Sequence, residues 1–169
     1  GTARSGTTWV SEILNSRNEY RTIFEPFNPN EIPIMERFGT RRYLRPDEED
    51  GDLLQIAELV VSGRIQAKWT DRFNRRLFAN KRLIKDVRAN LMLKWLHHQF
   101  PAMPIILLLR HPCAVVHSYR KQGWRGAVEP LLSQKRLVDD FLAPHEREIR
   151  QARTALERAA YIWCIETLV

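Results

Sequence analysis

"MPIILLLRHPCAVVHSYRKQ", Met103 to Gln122, is the stretch on which the fold turns. Its first half, Met103 to Arg110, is a short apolar run whose centre, Ile105 to Leu109, is hydrophobic on both faces. A strand buried on both sides of a parallel sheet has this character. His111 and Pro112 break the run. From about Pro112 to Gln122 the pattern becomes helical, with proline near the first helical position, where its missing N–H costs nothing. A buried strand feeding directly into a helix is the unit of an α/β protein.

The same alternation extends outward on both sides. Gly6 to Ser16 carries Trp9, Val10, Ile13 and Leu14 on one side of a helix. Tyr20 to Glu25 reads as a short strand, Gly51 to Gly63 as a helix and Lys81 to Val87 as a second strand. Asn90 to Phe100 reads as a helix stopping before Pro101, and Glu146 to Leu168 as one long final helix. Pro26, Pro29 and Pro33 make 26–33 a loop, and Met35 to Asp50 is charged and irregular. The expected fold is therefore α/β with a mainly parallel sheet. In such sheets ligands collect beyond the carboxyl ends of the strands. Glu25, Lys85, Asp86 and Arg110 should converge there.

Bulk composition sets the frame. The 169 residues suffice for one domain with a core, at 44% hydrophobic and 28% charged. No apolar run reaches the roughly 18 residues of a membrane span, and no secretory leader precedes the opening loop. The missing strand before that loop and the abrupt apolar end suggest one domain over 1–169, incomplete at both ends. A net charge of +7 favours anionic partners. Cys113 and Cys164 show no CxxC or zinc spacing, so no metal site is expected.

The opening stretch, "GTARSGTTWV", resembles an ATP phosphate loop with a difference. Gly1 and Gly6 have the GxxxxGK[ST] separation, but Thr7 stands where lysine belongs. Such a loop cradles an anion with backbone N–H groups and a helix N-terminus. Here the cation is Arg4, inside the loop, and Ser5, Thr7 and Thr8 add hydroxyl donors. A nucleotide kinase or NTPase would need the lysine. A catalytically silent polyanion- or nucleic-acid-binding module fits the basic charge but lacks aromatics interleaved on a basic stripe.

At these residues the chain resembles the sulfotransferases that use 3′-phosphoadenosine-5′-phosphosulfate. The loop is similar to their phosphosulfate-binding loop, in the arginine form found in carbohydrate, tyrosylprotein and bacterial enzymes. "LLLRHPCAVVHSYRK" is similar to their 3′-phosphate site, with Arg110 at a strand end and Ser118 two helical turns on. The two motifs lie more than 100 residues apart. The resemblance implies a P-loop NTPase-like three-layer α/β/α fold and transfer of a sulfonate to a hydroxyl acceptor: carbohydrate, tyrosine, lipid or small alcohol. The product nucleotide is 3′-phosphoadenosine-5′-phosphate, and no metal is required. It assigns donor contacts to Arg4, Ser5, Gly6, Thr7, Thr8, Trp9, Arg110 and Ser118.

Sulfonyl transfer needs a base for the attacking hydroxyl and a cation for the leaving oxygen. Glu25, between Phe24, Pro26 and Phe27, is the expected base, its pKa raised by an apolar wall; Asp86 is its rival. Arg4 and Lys85 are the expected cations, with Arg88 able to stand in for the lysine. His97 and His98 are expected to be surface or packing groups, and His111 to support the nucleotide. Residues 28–80 match no pattern and are read as a lid over the acceptor, with Trp69 and Phe73 as apolar contacts. Absence of paired cysteines points to a bacterial cytoplasmic enzyme over one in the Golgi lumen.

Overall fold

The structure is a computed structural model describing residues 1–75, 79–124 and 126–169. Residues 76–78, which fall in the expected 28–80 lid, and Arg125 lie outside that description.

Two strands form a parallel pair. β1 (Tyr20–Phe24) lies beside β2 (Lys81–Lys85), with Tyr20 opposite Lys81 and Phe24 opposite Lys85. The other edge of β1 is covered by the 67–74 turns. Phe24 N–H donates to the Thr70 carbonyl at 2.9 Å, and Arg21 pairs with Asp71 at 2.9 Å. The parallel register places the residues that follow both strands at the same carboxyl edge.

Helices surround this pair. α1 (Thr7–Leu14) precedes β1, and α2 (Gly51–Val61) lies between the strands, its Leu53 N–H accepted by the Asp50 side chain at 3.1 Å. A 3₁₀ turn at Asn90–Met92 leads into α3 (Leu93–Gln99), and α4 is Pro112–Lys121. Short helices α5 (Glu129–Leu132) and α6 (Lys135–Leu137) run through a wide π turn at Val138–Leu142 into α7 (Glu146–Arg150). α8 spans Ala155–Leu168 and packs on α4.

One core gathers Ile23, Phe27, Met35, Phe38, Leu53 and Trp95 with their neighbours. A second forms from Leu91, Leu131, Leu137, Ile149 and Ile162, and a smaller cluster joins Val115 and Tyr119 to Ala159. Much of the first core comes from 27–65, a segment in which sequence reading finds only the 51–63 helix. Met35 is fully buried in a 3₁₀ turn at Pro33–Arg37.

Two expectations are corrected. Met103–Arg110 forms no strand: 104–111 is chain without regular structure, and Ile106, Leu107 and Leu109 are exposed. Apolar character reports a preference for burial, but a strand needs a hydrogen-bonding neighbour, and β1–β2 does not extend to this segment. The loop before α1 does run tightly beside it, since a Cβ on Gly1 would lie 2.2 Å from the Leu108 carbonyl oxygen. The final helix is also broken. α7 ends at Arg150, and Thr154 starts α8 with a capping box in which its hydroxyl accepts from Glu157 N–H at 3.1 Å and Glu157 accepts from Thr154 N–H at 2.9 Å.

Candidate active site

The site divides into two groups of side chains, both built at the edges the strands and α1 define. The first lies around the opening loop. Gly6 occupies the cap position of α1 with φ 90°, and no side chain caps the helix. The first-turn N–H groups thus lack partners within the helix, as at helix N-termini that can receive an anion. Ser5 is buried and its hydroxyl is engaged with the Thr2 hydroxyl at 2.6 Å, so it shapes the loop from within. Thr7 is partly buried, and Thr8 and Trp9 are exposed.

Arg4 adopts φ 67°, an uncommon conformation for a side-chain-bearing residue, and its side chain turns toward α4. Its Nε donates to Ser118 Oγ at 2.9 Å. A guanidinium nitrogen of Arg110 donates to the Arg4 carbonyl at 2.8 Å. The Arg110 carbonyl in turn accepts from Trp163 Nε1 on α8 at 3.1 Å. The structure thus joins Arg4, Arg110 and Ser118, which the sequence separates by over 100 residues, into one contiguous cationic patch. Trp163 has no motif around it, and sequence reading passes it over. His111 is exposed at the start of α4, and His97 and His98 are exposed on α3.

The second group sits where β1 and β2 end. Glu25 follows β1 with φ 41°, again the left-handed region. Its backbone is held on both sides: its N–H donates to the Lys85 carbonyl at 2.6 Å, and its carbonyl accepts from Trp69 Nε1 at 3.2 Å. Oε1 accepts from Lys85 Nζ at 2.5 Å and Oε2 from Arg88 at 2.7 Å. The Lys85 ammonium also sits 4.6 Å from the centre of the Phe24 ring.

The expected rise in the Glu25 pKa does not occur. Burial does push it up, but the hydrogen bonds from Lys85 and Arg88 outweigh that and hold it below the ordinary value of 4.5. The apolar neighbours visible in sequence act more weakly than two cations brought in from β2 and the turn after it. Asp86 is engaged otherwise. It is partly buried, and its two oxygens accept from Phe27 N–H at 3.0 Å and Arg88 N–H at 2.6 Å. Burial pushes its carboxyl up, against those two backbone bonds. Asp86 therefore ties the turn after β1 to the turn after β2.

Of the expected apolar contacts, Trp69 is partly buried against the first core and Phe73 is about half exposed. The Arg72 guanidinium lies over the rings of Trp69, Phe73 and Phe24 at 4.5, 5.3 and 5.6 Å. Among the described residues no cluster of His, Cys, Asp and Glu is arranged to hold a metal ion. Cys113 and Cys164 are free and exposed, and among the described residues no helix is long and apolar enough to cross a membrane.

Comparisons with known proteins place the chain in a family. No solved structure matches the chain. Nodulation protein NoeE of Sinorhizobium fredii (strain NBRC 101917 / NGR234) is 32% identical over 138 residues, which is 73% of this chain and 30% of that protein's length. The chain thus spans under a third of this relative. The family described as Sulfotransferase family matches residues 1–165, nearly the whole chain. The chain belongs to the sulfotransferase family.

Proposed function

We propose that the chain transfers a sulfonate group from 3′-phosphoadenosine-5′-phosphosulfate to a hydroxyl acceptor by in-line displacement. The observation that carries this reading is the hydrogen bonding of Arg4 to Ser118 and of Arg110 to Arg4, which brings two distant motifs together in one cationic patch. The residues suit a nucleotide with two separated anions. The uncapped first turn of α1, with Thr7, Thr8 and Arg4, would take the phosphosulfate end. Arg110 and Ser118 would take the 3′-phosphate, a group ATP lacks. Guanidinium groups suit such work because they fork onto tetrahedral oxyanions. The architecture proposed with this function is the three-layer α/β/α arrangement of P-loop proteins, and the setting a bacterial cytoplasm.

When bound, the donor supplies a sulfonate on a phosphate leaving group. The chain's own residues do the rest. Glu25 accepts the proton of the attacking hydroxyl. Lys85 and Arg4 offset charge that builds on the departing oxygen. Asp86, through its two amide bonds, keeps Glu25 and Arg88 in register. Phe73 and Trp69 form the side of the site where residues 28–80 would cover the acceptor.

Labelled donor offered with a panel of hydroxylated acceptors tests this reading. Wild type should transfer label, and Glu25→Gln should lose transfer by at least about a hundredfold while still binding the product nucleotide. Transfer that is equal in wild type and variant removes Glu25 as base. Stabilisation by ATP alone, without magnesium, removes the sulfotransfer reading.

A further inference from the structure

Glu25, the carboxylate proposed to accept the proton, is engaged through both oxygens. Each of its oxygens already faces a cation, and the three side chains are mostly shielded, at 12% exposure for Glu25, 7% for Lys85 and 23% for Arg88. A carboxylate so paired is a poor proton acceptor.

The two cations are held very differently. Among the described residues Lys85 makes one side-chain hydrogen bond, to Glu25, and an ammonium carries three donors. It is a compact charge on a flexible stem. Arg88 springs from a turn in which its own N–H is fixed by Asp86, which also fixes the Phe27 amide beyond Glu25. The ammonium thus has donors to spare for an arriving anion, while the guanidinium stands on the turn that Asp86 ties to the backbone around Glu25.

We propose that Lys85 and Arg88 mask Glu25 in the free protein, that an arriving donor sulfonate draws Lys85 away, and that Arg88 stays as the positioning residue of a base thereby unmasked. This rests on the sulfotransferase reading and deepens it, since it makes proton acceptance conditional on donor binding and so orders the reaction. Transfer of Lys85 removes one attractive charge from Glu25 and raises its proton affinity. Arg88 continues to orient the carboxylate. The remaining charged groups around Glu25 leave this balance in place. Asp86 is a like charge on the same turn as Arg88, and acts to raise proton affinity in both states. Arg72, from the 67–74 turn, lies over the Phe24 ring and has no ion pair among the described residues.

The test is a ¹³C-carboxyl NMR titration of Glu25 in the full chain, with the resonance identified by its loss in Glu25→Gln. In the free protein Glu25 should titrate below an ordinary glutamate, and saturating 3′-phosphoadenosine-5′-phosphosulfate, without acceptor, should move its titration to higher pH. 3′-Phosphoadenosine-5′-phosphate, which lacks the sulfonate, should move it less. Lys85→Met should show the raised titration without donor and gain nothing further on adding it. Arg88→Met should be raised in both states, and Arg88→Lys should restore the wild-type response. If Glu25 titrates identically with and without bound donor, or if Lys85→Met leaves it unmoved, the proposal is overturned while sulfotransfer stands. Absence of donor binding by calorimetry would overturn the sulfotransfer reading, and the masking proposal with it.

Discussion

Arg4 and Glu25, two of the four side-chain-bearing residues with positive φ among the described residues, hold it where the loop meets α4 and where β1 ends. Such conformations cost of order 1–3 kcal/mol and persist where the surroundings over-determine them. Around Glu25 the surroundings are the Lys85 carbonyl, the Trp69 indole and two cations. Its lowered pKa has a definite sign in stability. The unfolded chain binds its proton at higher pH than the folded chain, so this contribution is complete above about 4.5 and fades as pH falls through the folded value. Glu25→Gln should therefore destabilise at pH 7 and progressively less on acidification, measured by urea unfolding across pH. Arg110→Ala should weaken nucleotide binding by about 1.5–3 kcal/mol, or roughly 10- to 150-fold, as measured by calorimetry. Arg4→Ala should lower turnover more than binding. Glu25 and Lys85 stand out in the sequence as charges at strand ends and Arg4 as a charge inside a Gly-bounded loop, whereas Arg110 stands out only as the end of an apolar run that forms no strand. The grip of Arg88 and Lys85 on Glu25 does not stand out, since it depends on how the two turns meet, and local sequence is silent on that.

Among elements, helix periodicity was a good guide within a residue or two: α2 and α4 lie nearly where the apolar spacing puts them. The final helix was misread because "EREIRQARTALERAAYIW" keeps a helical composition through its break. The information lay in Thr154 and Glu157, a Ser/Thr-x-x-Glu capping pattern embedded in it. Thr154→Ala should cost about 1 kcal/mol in urea unfolding, with no change in nucleotide affinity. The 104–111 segment was misread for a different reason. An apolar run looks alike whether or not a neighbouring strand is there to bond it, and here Ile106 and Leu109 are exposed. Only the pairing partner decides strand formation, and that partner lies outside the run itself.

For the molecule as a whole, buried carboxylates set the response to pH and net charge sets the response to salt. Glu166 of α8 is buried, and burial pushes its carboxyl above the ordinary 4.5, against the pull of Arg41. Arg41 Nε lies beside Glu166 Oε1, yet among the described residues neither carboxylate oxygen has a well-directed hydrogen bond. The pair is close in space and weak in satisfaction, and burial dominates. A folded pKa that is raised favours the protonated form, so this group's stabilisation is full below 4.5 and is lost as pH rises through its folded value. Glu166→Gln should thus raise the melting temperature at pH 7 relative to wild type, with the gain vanishing in acid. The charge of +7 should make nucleotide binding fall as ionic strength rises. The most direct measurement is calorimetric binding of 3′-phosphoadenosine-5′-phosphate against adenosine 5′-monophosphate, without magnesium, in wild type and in Arg110→Ala. The bisphosphate should bind at least about tenfold more tightly to wild type, and Arg110→Ala should erase the difference. Equal affinity for the two nucleotides in wild type would contradict the account.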